Sequence, residues 1–421
     1  MNPFLTAVIS SLQYLFRWLG LSLIVGILAG SASAFFLLAL DTITNYRESH
    51  LWIIAFLPLG GFSVGAIYYY WGESVVKGNN QLIEEWQNPT RIIPFRMAPF
   101  VLLTTLITHL FGGSAGREGT AVQMGGALAD QFTKWLRLSD SDRKTILITG
   151  ISAGFASVFG TPLAGTIFAL EIFIIGRLRY EALLPSLFAA VFADQACRLW
   201  GVGHTHYHID FIPTLTISVF LKIALISITF GLISKAFAEL RHFWSKQCKT
   251  YISYPPLRPA MGGVFIALAV WLSGTTKYIG LGIPTIVASF HETLPWYDWI
   301  MKTLATTFTL GVGFKGGEVT PLFYIGATLG NVAAQLTGLP IGLLAGIGFV
   351  AVFAGASNTP LACTMMGIEL FGTESGVYVA IGCFIAYLFS GHSGIYGSQI
   401  IGSPKHSRYF NYKGKSLTNL K

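Results

Sequence analysis

Apolar stretches separated by short polar or glycine-rich segments recur along nearly the whole chain. They cover 19–40, 52–70, 97–112, 145–175, 183–196, 214–238, 261–272, 301–313, 339–354 and 376–390. Several reach the ~20 residues that a helix needs to span a bilayer, while others are too short to cross alone. This pattern predicts an all-α, polytopic membrane protein whose helices are in part tilted or broken. The first long run is followed at once by others, which argues against a cleaved signal peptide.

Composition sharpens that picture. The 421 residues are 53% hydrophobic and only 11% charged, against about 25% charged in soluble domains. Mean hydropathy is +0.60. The four cysteines, Cys197, Cys248, Cys363 and Cys383, show no CxxC spacing, so neither a disulfide framework, a metal knuckle nor a cofactor is expected. The net charge of +8 is not patterned for nucleic acid, because the basic residues gather in short segments at 133–144, 176–180, 240–251 and 404–415. By the positive-inside rule these segments, and both termini, face the cytoplasm. The acidic and histidine-bearing segments 201–210 and 290–299 then lie outside. Residues 401–421 form a short basic tail, too short for a soluble domain.

The chain repeats itself. Laying 113–127 over 313–327 matches Gly113/Gly313, Gly116/Gly316, Glu118/Glu318, Thr120/Thr320, Gly126/Gly326 and Ala127/Ala327. Further on, TPLAGTIFALEIF at 161–173 lies over TPLACTMMGIELF at 359–371, pairing Glu171 with Glu369. Two blocks in the same order with nearly constant spacing predict a duplicated half, with repeats at 1–210 and 211–400. In transporters such repeats often have inverted topology and build a midplane site from broken helices.

Each matched block has the chemistry of a helix start. Glycines allow tight turns, and Thr-Pro before an apolar run reads as N-cap and first turn. Helix N-termini present free N–H groups and partial positive charge, which suits an anion. Within GGSAGREGTAVQMGG (112–126), Glu118 is therefore an anionic side chain placed where an anion could bind. Arg117 reads as a structural partner or a source of positive field.

GREGT at 116–120 resembles the GREGP motif of the CLC family of chloride channels and proton-coupled anion antiporters. GGEVTP at 316–321 resembles that family's GGxFxP motif, GIYG at 394–397 carries its tyrosine, and KGNNQLI at 77–83 falls where the family has GSGIP. The resemblance spans essentially the whole transmembrane chain, with the motifs in order. It implies two inverted repeats, a homodimer with one pore per subunit, and an anion site approached by Asn79, Gly119, Val319, Thr320 and Tyr396. The departures resemble the fluoride/proton antiporter branch, bacterial inner-membrane exporters that confer fluoride resistance. Asn79 replaces the serine of the chloride site, Thr120 replaces the proline, Glu318 and Thr320 replace small or aliphatic residues, and Ile172 stands where proton-coupled chloride members have an inner carboxylate.

Physical chemistry is consistent with that branch. Fluoride is small, strongly hydrated and a strong acceptor, so replacing its water needs good donors such as the Asn79 amide, the Thr320 and Tyr396 hydroxyls and the amides of Glu318 and Val319. The implied mechanism makes Glu118 the gate and proton carrier, and Glu318 the inward proton relay. A chloride/proton antiporter or passive anion channel of the same family is the alternative.

Blander roles exist for several of these residues. Arg117 and Glu118 as a structural ion pair is disfavoured, since adjacent helical residues do not face each other. Glu171 and Glu369 read as structural acids at the cytoplasmic ends of their helices. Asn79 could be a plain cap and Tyr396 a packing aromatic. GGSAG, with Ser114, matches a hydrolase elbow but lacks the required strand. GHSG, with His392 and Ser393, resembles an intramembrane protease motif but lacks a good partner histidine. His204, His206, His208 and Asp210 could bind a metal, but an exposed polar loop is the simpler reading.

Overall fold

The computed structural model describes residues 3–420. The first part of the chain forms α1 (Pro3–Ser49), α2 (Leu57–Tyr70), α3 (Asn79–Gln87), α4 (Met97–Leu110), α5 (Glu118–Trp135), α6 (Asp140–Phe159), α7 (Pro162–Glu171) and α8 (Leu183–Leu199). The second forms α9 (Ile217–Tyr251), α10 (Leu257–Ser273), α11 (Ile283–Ala288), α12 (Asp298–Gly311), α13 (Val319–Thr337), α14 (Ile341–Ser357), α15 (Pro360–Phe371) and α16 (Gly376–Phe389). A two-residue parallel pair, β1 (Ile174–Ile175) with β2 (Ile400–Ile401), ties the halves together. Helix α1 has 47 residues and α9 has 35. At 1.5 Å per residue α9 is about 52 Å long, enough to cross a bilayer at a steep tilt.

Continuous apolar runs are cut by backbone chemistry. The run 145–175 is one hydrophobic stretch in sequence but two helices in space. Gly160 ends α6 in the left-handed region at φ +68°, and Pro162 opens α7 at its first turn. The second half repeats the break with Asn358 at φ +60° and Pro360. Broken helices place their polar ends inside the bundle, which hydrocarbon forbids unless protein groups satisfy them.

Those ends are satisfied across the repeats. Leu163 N and Ala164 N, in the first turn of α7, donate to the Glu369 carboxylate at 2.9 and 2.7 Å. Leu361 N and Ala362 N, at the start of α15, donate to Glu171 at 3.2 and 2.9 Å. Two expectations are corrected here. Thr161 and Thr359 occupy the N-cap positions but make no side-chain cap; the caps are carboxylates from the other repeat. Glu171 and Glu369 are structural, yet they do not share an end. Reciprocal capping requires α7 and α15 to run antiparallel, so the two acids lie at opposite ends of the pair.

The core joins the halves. Phe155 and Phe168 stack at 4.3 Å between ring centroids, Phe323 and Phe349 at 3.9 Å, and Phe353 lies between these pairs. Helices α13 and α14 cross at Gly326 and Gly348, where an added Cβ on Gly326 would stand 1.9 Å from Gly348 O. Small residues let backbones approach closely where no water drives helices together.

The basic segments share one face. Arg17, in the first third of α1, pairs with Asp142 at 2.7 Å. The tail folds back on this face too: Ile401 N donates to Lys415 O at 3.0 Å, and Lys405 Nζ donates to Tyr387 O at 2.7 Å. The histidine segments meet on the other face, where His291 Nδ1 lies 3.3 Å from Asp210 Oδ2. His204 is turned inward to 3.5 Å from Asp194, away from exposed His208. Among the described residues no group of three or more His, Cys, Asp or Glu side chains is placed to hold a metal ion.

Candidate anion pathway

The two glycine-rich motifs meet at the centre of the bundle. Gly116 N donates to Gly317 O at 2.6 Å, and Gly317 N returns the bond to Gly116 O at 2.7 Å. This pairing brings the N-termini of α5 and α13 together, one from each repeat. Both carry unsatisfied amides and positive partial charge toward the same point.

Glu118 occupies that point. Its carboxyl is 1% exposed and reaches across the repeat boundary. Thr320 N donates to Oε2 at 3.1 Å, the Thr320 hydroxyl donates to Oε1, and Arg117 N donates to Oε2 at 3.1 Å. Arg117 Nε stands 3.7 Å from Oε1. The disfavoured Arg117–Glu118 contact is therefore present. Arg117 precedes the first residue of α5, so the helical rule that separates adjacent side chains does not govern it. Glu118 is in effect an anion bound at the start of α13.

A cavity approaches from each side. One, of about 970 Å3, opens on the basic face and is lined by Asn79, Gln123, Arg241, Lys315, Glu318 and Tyr396. The other, of about 770 Å3, opens on the histidine face beside Arg47, Arg117 and Lys277. Glu118 lies between them, with Gly119 and Asn79 on one side and Arg117 on the other. The two cavities share no lining residue, and Glu118 lines neither.

Of the remaining predicted site residues, Asn79, Glu318 and Tyr396 line the basic-face cavity, while Gly119 and Val319 do not. Asn79 is the first residue of α3 and makes no cap, so the plain-cap role is absent. Its Nδ2 lies 3.1 Å from where a Gly119 Cβ would stand, and its Oδ1 is buried without a protein partner. Val319 is buried at the start of α13. Tyr396 is buried against Phe168, 6.5 Å between centroids. Glu318 sits at the N-cap position of α13 and points to Arg241 Nε at 3.2 Å.

The sequence profile of the voltage gated chloride channel family matches residues 60–391. A protein of Pseudomonas syringae pv. tomato called a chloride/fluoride channel protein is 54% identical over 403 residues, covering 94% of this chain and 89% of its own. Among solved structures, a CLC-type fluoride/proton antiporter superposes with a TM-score of 0.89 at 39% identity, covering 91% of this chain and 98% of its own. A slow cyanobacterial chloride/proton antiporter superposes with a TM-score of 0.78 at 18% identity, covering 89% and 94%, a likeness of fold.

This chain belongs to the CLC family. It shares that family's all-α architecture of two inverted repeats with broken helices. Within this CLC protein, sequence reasoning overlooked Arg241 and Gln123. Gln123 Nε2 donates to Gly119 O at 3.0 Å and borders Gly78. Arg241 was hidden in a segment that reads as a basic loop, 240–251, but that segment is the last three turns of α9. A signal was present: Arg241, Ser245 and Lys249 recur every four residues and all line the cavity. The two serine motifs form no dyad. Ser114 Oγ bonds Thr306 Oγ1 at 2.8 Å, while His392 Nε2 accepts from Lys405 N at 3.3 Å rather than facing Ser393.

Proposed function

We propose that this CLC protein is a proton-coupled fluoride antiporter that exports fluoride from the cytoplasm in exchange for protons. The observation that carries this reading is the Glu118 carboxyl bound by the Thr320 N–H and hydroxyl between two cavities. A titratable anion fills the place best suited to a small mobile one. When Glu118 is ionised, it plugs the start of α13. When it is protonated from the histidine-face cavity, it releases Thr320, and a fluoride ion from the basic-face cavity takes over those donors. Anion occupancy and protonation thus alternate, which produces exchange in opposite directions.

Three features favour fluoride over chloride. Asn79, Thr320 and Tyr396 supply strong neutral donors that can stand in for its water. Glu318 adds a second carboxyl beside the path; ionised, it repels a bystander anion, and protonated, it donates to a basic one. A relative 54% identical and a solved structure 39% identical to the chain carry fluoride in their names. Glu318 would relay the proton inward, because Ile172 offers no carboxylate. The positive-inside rule sets the basic face, with both termini, in the cytoplasm of a bacterial inner membrane. Each subunit of a homodimer would hold its own pathway.

The test is a liposome carrying the purified protein and an outward fluoride gradient, with external fluoride and internal pH recorded together. Fluoride efflux should draw protons inward against their own gradient. Fluoride efflux with no proton movement would make the protein a passive channel, and equal handling of chloride would return it to the chloride/proton class.

A further inference from the structure

We infer that Arg241 is the ligand that hands fluoride from the cytoplasmic cavity to the central site, and that the anion's arrival there frees Glu318 to accept the proton. This rests on the antiport reading and assigns a step within it.

The two halves place Glu118 and Glu318 at matched positions, and Thr120 and Thr320 likewise. Glu118 takes the Thr320 donors of the opposite repeat. Symmetry alone would send Glu318 to Thr120. Instead the Thr120 hydroxyl bonds Thr105 at 2.8 Å, and Glu318 turns out to Arg241 at 3.2 Å. The guanidinium therefore breaks the symmetry and gives the second acid a different task.

Arg241 also touches the other side of the path. One of its Nη atoms donates to Ile395 O at 3.4 Å, immediately before Tyr396. A guanidinium carries five N–H donors, and Arg241 shares the cavity wall with Asn79 and Tyr396. Its side chain is 27% exposed, against 11% for Glu318, so an anion from the cavity reaches the arginine before the acid. Lys77, Lys249, Arg258 and Lys315 add further positive charge to the wall, and Lys315 Nζ donates to Val76 O at 3.3 Å.

The Arg241–Glu318 pair is neutral as it stands. Fluoride arriving at the guanidinium competes with the carboxylate. The displaced carboxylate then faces a like charge, which a proton delivered by Glu118 removes. Fluoride binding and Glu318 protonation thus favour each other, and the linkage is reciprocal. Ionised Glu118 reclaims Thr320 and expels the fluoride held there outward; when Glu118 takes its next proton, the fluoride at Arg241 moves on to Thr320, and the guanidinium returns to Glu318, which ionises and releases its proton to the cytoplasm. One proton enters on Glu118, passes to Glu318 and leaves.

The test uses the full chain in liposomes with R241Q, R241K and E318Q. R241Q should raise the fluoride KM on the cytoplasmic side about tenfold or more, the worth of a lost charge-assisted contact, and should lower the number of protons moved per fluoride. R241K keeps the charge and should stay within about threefold of the native KM. E318Q leaves Arg241 unpaired, so fluoride binding to the solubilised protein, measured by calorimetry, should tighten severalfold. Native protein that moves fluoride without protons sinks the antiport reading whatever the variants do. Coupled native transport with an unchanged KM and ratio in R241Q, or an R241K that behaves like R241Q, overturns the role of Arg241 alone. If R241Q does not fold, unchanged fluoride binding by E318Q overturns it equally.

Discussion

Replacing Glu118 by glutamine tests the competition at the start of α13. The amide fills nearly the same volume but has no charge, no exchangeable proton in the working range, and one acceptor oxygen in place of two. In the native protein three donors converge on the carboxylate: Thr320 N, the Thr320 hydroxyl and Arg117 N. Hydrogen bonds into a charged acceptor contribute about 1.5–3 kcal/mol each, against about 0.5–1.5 for neutral pairs. A loss of about 1 kcal/mol per donor weakens the plug by about 3 kcal/mol, or roughly 100-fold. On the proposed reading fluoride competes for the Thr320 donors, so its affinity should rise by up to that factor. Calorimetric titration of solubilised E118Q with fluoride measures the gain. In liposomes the same variant should move no protons. Unchanged fluoride affinity would mean that the two anions do not share Thr320, and persistent proton uptake would remove Glu118 from the proton path.

Further outcomes follow from the packing. Glu171→Ala orphans one buried and one part-buried amide at about 1–3 kcal/mol each, and Glu369→Ala orphans two nearer the surface, so the thermal midpoint should fall in both and further in the first; a larger drop for Glu369 would contradict the assignment. Arg143 makes 2.8 and 2.9 Å bonds to the fully buried Asp130 and also reaches Glu85. Arg143→Ala strands that carboxylate and should destabilise by about 3–5 kcal/mol, read as loss of the folded peak in size-exclusion chromatography; a native-like melting profile would refute it. Gly326→Ala drives a Cβ against Gly348 O and should separate α13 from α14 at a cost of about 1–3 kcal/mol or more. Because α13 carries Thr320, fluoride binding should weaken along with the midpoint; a lower midpoint with intact binding would show that the strain stays local.

The fold class was legible because a bilayer leaves few choices: long apolar runs become helices, and the repeated motifs reveal the duplication. The central site was legible for the same reason, since charged residues among glycines are rare enough in such a chain to stand out. What escaped was anything decided by direction. The GTP at 160–162 marks a helix start, but nothing local says that its cap is Glu369, about two hundred residues away. Inverted topology turned the matched acids to opposite ends, where the linear sequence suggested one. Arg241 was legible only as part of a basic segment, because the positive-inside rule explains such residues without asking which face of a helix they occupy.

Glu118, Glu171 and Glu369 are, in bonding terms, the same device. Each is a carboxylate set on the first turn of a helix from the other repeat, accepting from backbone amides at Thr320, at Leu361 and Ala362, and at Leu163 and Ala164. What differs is access. Neither cavity reaches Glu171 or Glu369, whereas one reaches Arg117, beside Glu118, and the other reaches Asn79, whose amide lies against Gly119. A carboxylate with no rival is a fixed cap, because leaving would bare its amides to nothing. Where another anion can reach the same amides, departure costs only the difference between two occupants, and a proton is enough to decide it. Fluoride should therefore displace Glu118 and leave the other two in place. Fluoride-dependent protection of the Leu361–Ala362 amides from hydrogen exchange would show that access does not separate the cap from the gate.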